Sequence, residues 1–399
     1  MPESNRTYAI APHAVTAADT PASVAGPSSM TLSSGGDAAS GHVAIGDFGR
    51  AAARGSATGG SAVGGVTPAA SGVPAADPPG MSGAEPSGRF TLALAGDVNF
   101  ANGTADLLAA DPATALQEAA GQLSAADLTM VNLETAITAA GVPAPKQFHF
   151  RAPATALEAL ADGGVDVVTM ANNHAVDYGD QGLADTLHAI DASPIPVVGI
   201  GRNADAAYAP WTATVNGVRL AIFAASQVHD WTIATHTATD TGPGIASAFS
   251  PRLVEAVRSA AASFDVVVVY LHWGIEYQAC PSGEQRRLAD ALADAGATAV
   301  VGTHAHLLQG AGWRHDGVYV AYGLGNYYWW RSFGNDQDDN GVLTLTFDRA
   351  GVISSDFLAT RLDARGVPQV ATGAQKARIE ARWEADRQCA DLAATPLAG

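Results

Sequence analysis

From residue 89 to about 326 the chain repeats one order: an apolar run of strand length, then an amphipathic stretch of helix length. RFTLALAGDVNF (89–100), LTMVNLE (128–134), VDVVTMANNH (165–174), LAIFAAS (220–226), DVVVVYLHWG (265–274), TAVVGTHAH (298–306) and VYVAYGLGN (318–326) read as strands. Between them TADLLAADPATALQEAAGQL, ATALEALADGG, DQGLADTLHAI, PRLVEAVRSAAASF and GEQRRLADALADAG carry helical spacing. Few folds accept that alternation. Strands that are apolar on both faces and return through helices form a buried, largely parallel sheet, so the fold class is α/β. GVLTLTF (341–347) comes late, with few helices around it, and predicts a second sheet packed alongside.

The first 88 residues break the pattern. GSATGGSAVGGVTPAASGVPAADPPG has neither period and too few large apolar side chains to offset the entropy of ordering, so 1–88 is expected to be disordered. The folded domain is expected over 89–362, with 363–399 a C-terminal extension packed on it.

Polar residues recur where the apolar runs end. Asp97 follows TLALAG, Glu134 follows MVNL, Asn173 and His174 follow VVTMAN, and His272 follows VVVYL. His304 and His306 close AVVGT, and strand alternation predicts that both point the same way. Asp97 alone could cap a turn, and His272 alone could be a satisfied core histidine. Ligands of open α/β sheets bind at the carboxyl ends of strands, and a scatter of core residues would not choose that location repeatedly. Carboxylate, amide oxygen and imidazole together suit Mn, Fe or Zn, and there are donors enough for two ions. His13, His42, His188, His229, His236 and His315 fall outside the pattern and read as structural or solvated.

Charge narrows the partners. The balance of 21 basic against 39 acidic residues gives −18, which argues against nucleic acid and anionic membrane as general partners. An anionic substrate then requires a local positive centre, which a metal pair would supply. No apolar stretch approaches the roughly 20 residues of a membrane span. The opening residues, MPESNRTYAIAPHAVTAADT, show no secretory signal pattern. Cys280 and Cys389 are either one disulfide, which implies an extracytoplasmic or cell-envelope location, or two unrelated thiols.

GDVNF, NLETAI, FHFRAP, MANNHAVDYGDQGL, LHWGIEY, PSGEQRRLADAL, VVGTHAHLLQG and YGLGNYYW span about 91 to 330 in this order. The set resembles the CapA-type capsule-synthesis proteins of poly-γ-glutamate biosynthesis, a branch of the calcineurin-like metallophosphoesterases. The resemblance implies a four-layer α/β/β/α sandwich of the metallo-dependent phosphatase type with a centre of two divalent metal ions. It implies Asp97 and His306 on the first ion, Glu134 bridging, and Asn173, His272 and His304 on the second. His174 would be the general acid or an electrostatic stabiliser. Asn99 stands where the superfamily has the histidine of D-x-H, which implies a weakly held first ion, and Glu134 stands where the bridging Asp is usual.

Arg151 in FHFRAP could fork onto a phosphate or carboxylate. Glu276 and Tyr277 could orient His272 or touch substrate, and Asn326 could present an amide at the rim. The acid-rich loop RSFGNDQDDNG (331–341) lacks EF-hand spacing and reads as a mobile, solvated lid or turn. Two functions follow. One is a metal-dependent hydrolase or transferase acting on an anionic phosphoester or polyglutamate substrate. The other is a non-catalytic module that binds or exports the polymer beside a membrane synthetase complex.

Overall fold

Runs such as VVVVYLH cannot leave either face in water, and in the computed structural model, which describes residues 88–396, they become interior strands. The first sheet is built on Arg89–Val98, flanked in parallel by Leu128–Leu133 and, at its end, by Asn326–Tyr328. Val167–Thr169 and Val197–Val198 continue the parallel half. Asp339–Asp348, Gly351–Leu362 and Pro368–Val370 add antiparallel strands on the other side. In the second sheet Val218–Ser226, Val266–His272, Ala299–Thr303 and Tyr319–Ala321 run parallel, edged by antiparallel Trp211–Val215 and Ala311–Trp313.

Side-chain alternation assigns the layers. Phe90, Leu92 and Leu94 of the first sheet meet Leu220, Ile222, Val268 and Val301 of the second in the inter-sheet core. The opposite face of the first sheet packs Val131, Leu133 and Val168 on helices Thr155–Asp162 and Gly179–Asp191 through Leu157, Leu160, Leu183 and Leu187. The outer face of the second packs Phe223, Val267 and Val269 on helices Pro251–Ala261 and Gly283–Asp294 through Leu253, Val257, Leu288 and Leu292. The result is a four-layer α/β/β/α sandwich whose parallel strands all end at one edge.

Three expectations change. GVLTLTF does not seed the second sheet; its strand pairs antiparallel with Arg89–Val98 from Arg89↔Asp348 to Ala95↔Val342. The acid-rich loop is tied down at its end: Asp338 accepts the amides of Phe333 (2.7 Å) and Gly334 (2.8 Å), and buried Asp339 pairs with Arg361 and Arg378. Those arginines lie far along the chain, so the loop read alone looked solvated. Past residue 362 the sheet continues through Pro368–Val370. The expectation for residues 1–88 lies, apart from Gly88, outside the described residues.

The last helix, Gly373–Cys389, buries one narrow stripe, Ile379, Trp383 and Asp386, at the 4-3 spacing of a single helical face. Trp383 stacks on Phe357 with ring centroids 4.2 Å apart. A disulfide joins Cys389 to Cys280 across 109 residues of chain. In the chain-entropy account a bridge closing so long a loop contributes several kcal/mol, and losing a native one costs roughly 2–5 kcal/mol. Cys389→Ala should therefore lower the denaturant midpoint strongly, and mass spectrometry without reductant should find no free thiol in the native chain.

Burial pushes the Asp386 carboxyl from 3.8 up to about 6, against the pull of Arg382. Because the folded pKa is raised, this residue's contribution to stability is full below about pH 4 and is lost as pH rises through about 6. Asp386→Asn should melt higher than wild type at pH 7.5, with the difference gone at pH 4. A constant difference across that range would exclude the carboxyl as its source.

Candidate metal centre

Both sheets deliver their strand ends to one buried point. Asp97 closes the first strand and Glu134 follows the second, and each is fully buried. Asn173 and His174 lie past Val167–Thr169. From the second sheet His272 is the last residue of its strand. His304 and His306 lie beyond Thr303, where the strand has already ended. Their rings stand 5.9 Å apart, but a turn aims them, not strand alternation. Both have left-handed backbone, φ 87° and 53°, rare for a side chain of that size.

The central feature is what Glu134 lacks. Both of its carboxylate oxygens are buried without a hydrogen-bond partner, and so are Asn99 Oδ1 and His304 Nδ1. Burial of an unpartnered polar atom costs about 1–3 kcal/mol, and more for a charged one. Glu134 belongs to two groups whose ligand atoms lie within 4.8 Å of one another: Asp97, Glu134 and His272; and Glu134, His304 and His306. His306 Nδ1 is also 3.6 Å from Asp97 Oδ2. A shared carboxylate between two imidazole-bearing groups fits two divalent ions.

The electrostatics agree. Burial, reinforced by Glu134, raises Asp97 from 3.8 to about 6, and burial raises Glu134 as well. Burial lowers His272 to about 4 and His304 well below its ordinary value, so both are neutral imidazoles, the form that ligates. At His306 burial pulls down, but Glu134 and Asp97 outweigh it and raise the ring.

A second ring of residues fixes this set. His272 is held by Asn173 Oδ1 at 2.8 Å, Thr303 Oγ1 at 3.0 Å and Asn132 Nδ2 at 3.2 Å. Glu276 and Tyr277 are exposed at the mouth instead, and neither hydrogen-bonds His272. Asn132 Nδ2 donates to Asp97 (2.8 Å), and Asn172 Nδ2 donates to Asn132 Oδ1 (2.9 Å). Asn99 Nδ2 donates to the Glu134 carbonyl (2.8 Å), which leaves its buried Oδ1 free. Asn326 Oδ1 contacts His306 Nδ1 at 2.8 Å. Arg151 is exposed and lies over the Tyr178 ring, 4.7 Å from its centroid, apart from the carboxylates.

His174 Nδ1 meets Asp177 Oδ2 at 2.6 Å, which turns Nε2 toward Glu134, 3.8 Å away. Lys146 Nζ holds Asp177 Oδ1 at 2.6 Å and also donates to the Asn173 carbonyl. Asn132, Asn172, Asp177 and Lys146 were not singled out by sequence reasoning. For Asn132 a signal existed: an amide inside an apolar strand, two residues before Glu134 and so on its face.

Residues 91–329 match the family model described as bacterial capsule synthesis protein PGA_cap. The chain is 36% identical over 189 residues to "PGA biosynthesis protein CapA" of Bacillus subtilis (strain 168), covering 46% of this chain and 48% of that one. It is 34% identical over 215 residues to "Capsule biosynthesis protein CapA" of Bacillus anthracis, 51% of each. The matches thus span about half the length of these relatives. Among solved structures, a putative 5'-nucleotidase from Staphylococcus aureus aligns over 74% of this chain and 58% of its own, with 14% identity and TM-score 0.42.

If a cation is what Glu134 awaits, metal-free protein should be relieved by removing the charge. Glu134→Gln should melt above wild type in EDTA by roughly 1–3 kcal/mol. Adding Mn²⁺ should raise the wild type more than the variant. Equal Mn²⁺ responses in differential scanning calorimetry would contradict the assignment.

Proposed function

Because the chain belongs to the bacterial capsule synthesis protein family, we propose that it is a metal-dependent hydrolase or transferase of cell-envelope polymer synthesis. Its substrate is an anionic phosphoester or polyglutamate. The observation that carries this reading is the buried, unpartnered Glu134 carboxylate set among three neutral or neutralisable donor groups. Asp97, Glu134, Asn173, His272, His304 and His306 would hold two divalent ions. Bound there, such ions polarise a phosphoryl or carbonyl oxygen and lower the pKa of water.

The remaining steps fall to the chain. His174 presents Nε2 to the centre while Asp177 holds Nδ1, so the ring can carry a proton at Nε2 and deliver it to a leaving oxygen or nitrogen. Asp177 stabilises the charged ring, and Lys146 fixes Asp177 and the Asn173 backbone in one contact set. The layers over the strand ends limit water around the reacting group, which strengthens each of these interactions. The disulfide supports the envelope setting. Among the described residues no helix is long and apolar enough to cross a membrane, so attachment to a membrane synthetase would go through a partner.

Elemental analysis of protein purified without chelator should find close to two Mn, Fe or Zn per chain. Turnover of a phosphodiester and γ-glutamyl panel with Mn²⁺ should fall about 10²–10⁴-fold in His174→Ala. A metal-loaded wild type as inert as the variant, yet retaining polymer, would replace catalysis with the binding-module reading.

A further inference from the structure

Beside the metal centre lies a pocket whose walls are not those of a polyanion site. His174 and His306 form its floor, and Phe148, Phe150, Tyr277, Trp329, Trp330 and Phe333 line it. Some of these rings shield the histidines: Phe150 packs on His174 at 4.6 Å and Trp329 on His306 at 5.0 Å. Others have no such task. Phe148 is 50% exposed and stacks on no other ring among the described residues, and Tyr277 is 55% exposed. Tyr277 is held in left-handed backbone at φ 64°, which few non-glycine residues adopt, with its amide tied to the Ala305 carbonyl at 2.8 Å. An exposed ring fixed in an unfavourable backbone is placed by its surroundings, not by its own preference.

The charges of the pocket point the same way. Arg331 lies over Trp330 and Phe333, 4.2 and 4.4 Å from their centroids, and makes no ion pair among the described residues. It is the one cation of the lining, and Glu276 is there too. A polyglutamate repeat brings a carboxylate per residue and no ring. Seating it here would leave carboxylates against aromatic faces without donors, which is unfavourable. Aromatic walls reward flat or ring-shaped groups through stacking or C–H packing.

Resting on the proposed metal-dependent reading, we infer that this pocket is the subsite for a ring-bearing group joined to the phosphoryl centre. The preferred substrate class is then a phosphoester whose alcohol side carries a flat or saturated ring. His174 stands between the pocket and Glu134, so the ring lies on the side of the bond to which His174 gives its proton.

Non-hydrolysable phosphonates test this by binding alone. Titration calorimetry of Mn²⁺-loaded protein should show phenylphosphonate binding at least about tenfold more tightly than methylphosphonate. Phe148→Ala and Trp330→Ala should each shrink that ratio several-fold while leaving methylphosphonate affinity unchanged, and Trp330→Phe should restore it. Phe148 is half exposed, so its truncation leaves the fold intact as a control on Trp330. Cyclohexylphosphonate separates the two sources of a ring. Parity with phenyl indicates sugar-like C–H packing, and a phenyl-only gain indicates a stacked base; both support the subsite. Equal binding of phenyl- and methylphosphonate overturns the inference and leaves the metal centre standing. Failure of both to bind, with no metal by elemental analysis, overturns the two together.

Discussion

A carboxylate buried without a hydrogen-bond partner is the constraint on which the rest of this structure turns. Glu134 sits where the carboxyl ends of two sheets meet, and the fold supplies neither an amide nor a hydroxyl to either of its oxygens. What it supplies are imidazoles and a second carboxylate. His272 and His304 are held neutral by burial, so they cannot neutralise Glu134 as cations, and Asp97 adds to its charge. Only an external cation makes that arrangement favourable, and its charge would reverse every shift that burial imposes. The stability of the strand ends and the chemistry of the site are therefore one problem.

The supporting residues divide that problem between short chains of contacts. Asn132 and Asn172 run an amide ladder from Asp97 to the loop bearing Asn173 and His174. Lys146, on a separate segment, clamps that loop through its backbone and through Asp177. At the mouth, Gln285 and Gln309 link the Ser282 cap to the Gln278 carbonyl, and the disulfide at Cys280 ties the same segment to the last helix. The segment carrying Glu276 and Tyr277 is thus fastened at several points while its side chains stay exposed. Such fastening is what a left-handed Tyr277 requires.

Much of this was legible before any coordinates, for a physical reason. Strand length, apolarity on both faces and helical spacing are local properties, and so is the position of a polar residue at the end of an apolar run. That is why Asp97, Glu134, Asn173, His272, His304 and His306 could be named from the chain. What depends on distant partners was not legible. Asp338 and Asp339 looked solvated because Arg361 and Arg378 lie more than twenty residues away in sequence. Lys146 and Asp177 meet across 31 positions of irregular chain, with no period to announce them. The convergence of His304 and His306 was foreseen for the wrong reason, since two left-handed residues achieve what alternation was credited with.

The two openings beside the centre finally bear on how an acidic chain can hold an anion. One is the aromatic pocket with its single arginine; the other is a cleft lined by Asn173, Gln227, Asp230, Glu276, Glu284 and His304. At −18 the molecule as a whole repels anions, and the acidic cleft repeats that repulsion at close range. Carboxylates and phosphates are then disfavoured everywhere except at the centre itself, where the bound ions would reverse the sign over a few ångströms. Repulsion of this kind is a form of selectivity: it confines the charged group to one point and leaves the uncharged remainder to choose between the walls. With acids on one side and rings on the other, an uncharged ring has only one favourable side. The geometry that orients a substrate across Glu134 and His174 would thus come as much from the acids that exclude as from the metals that attract.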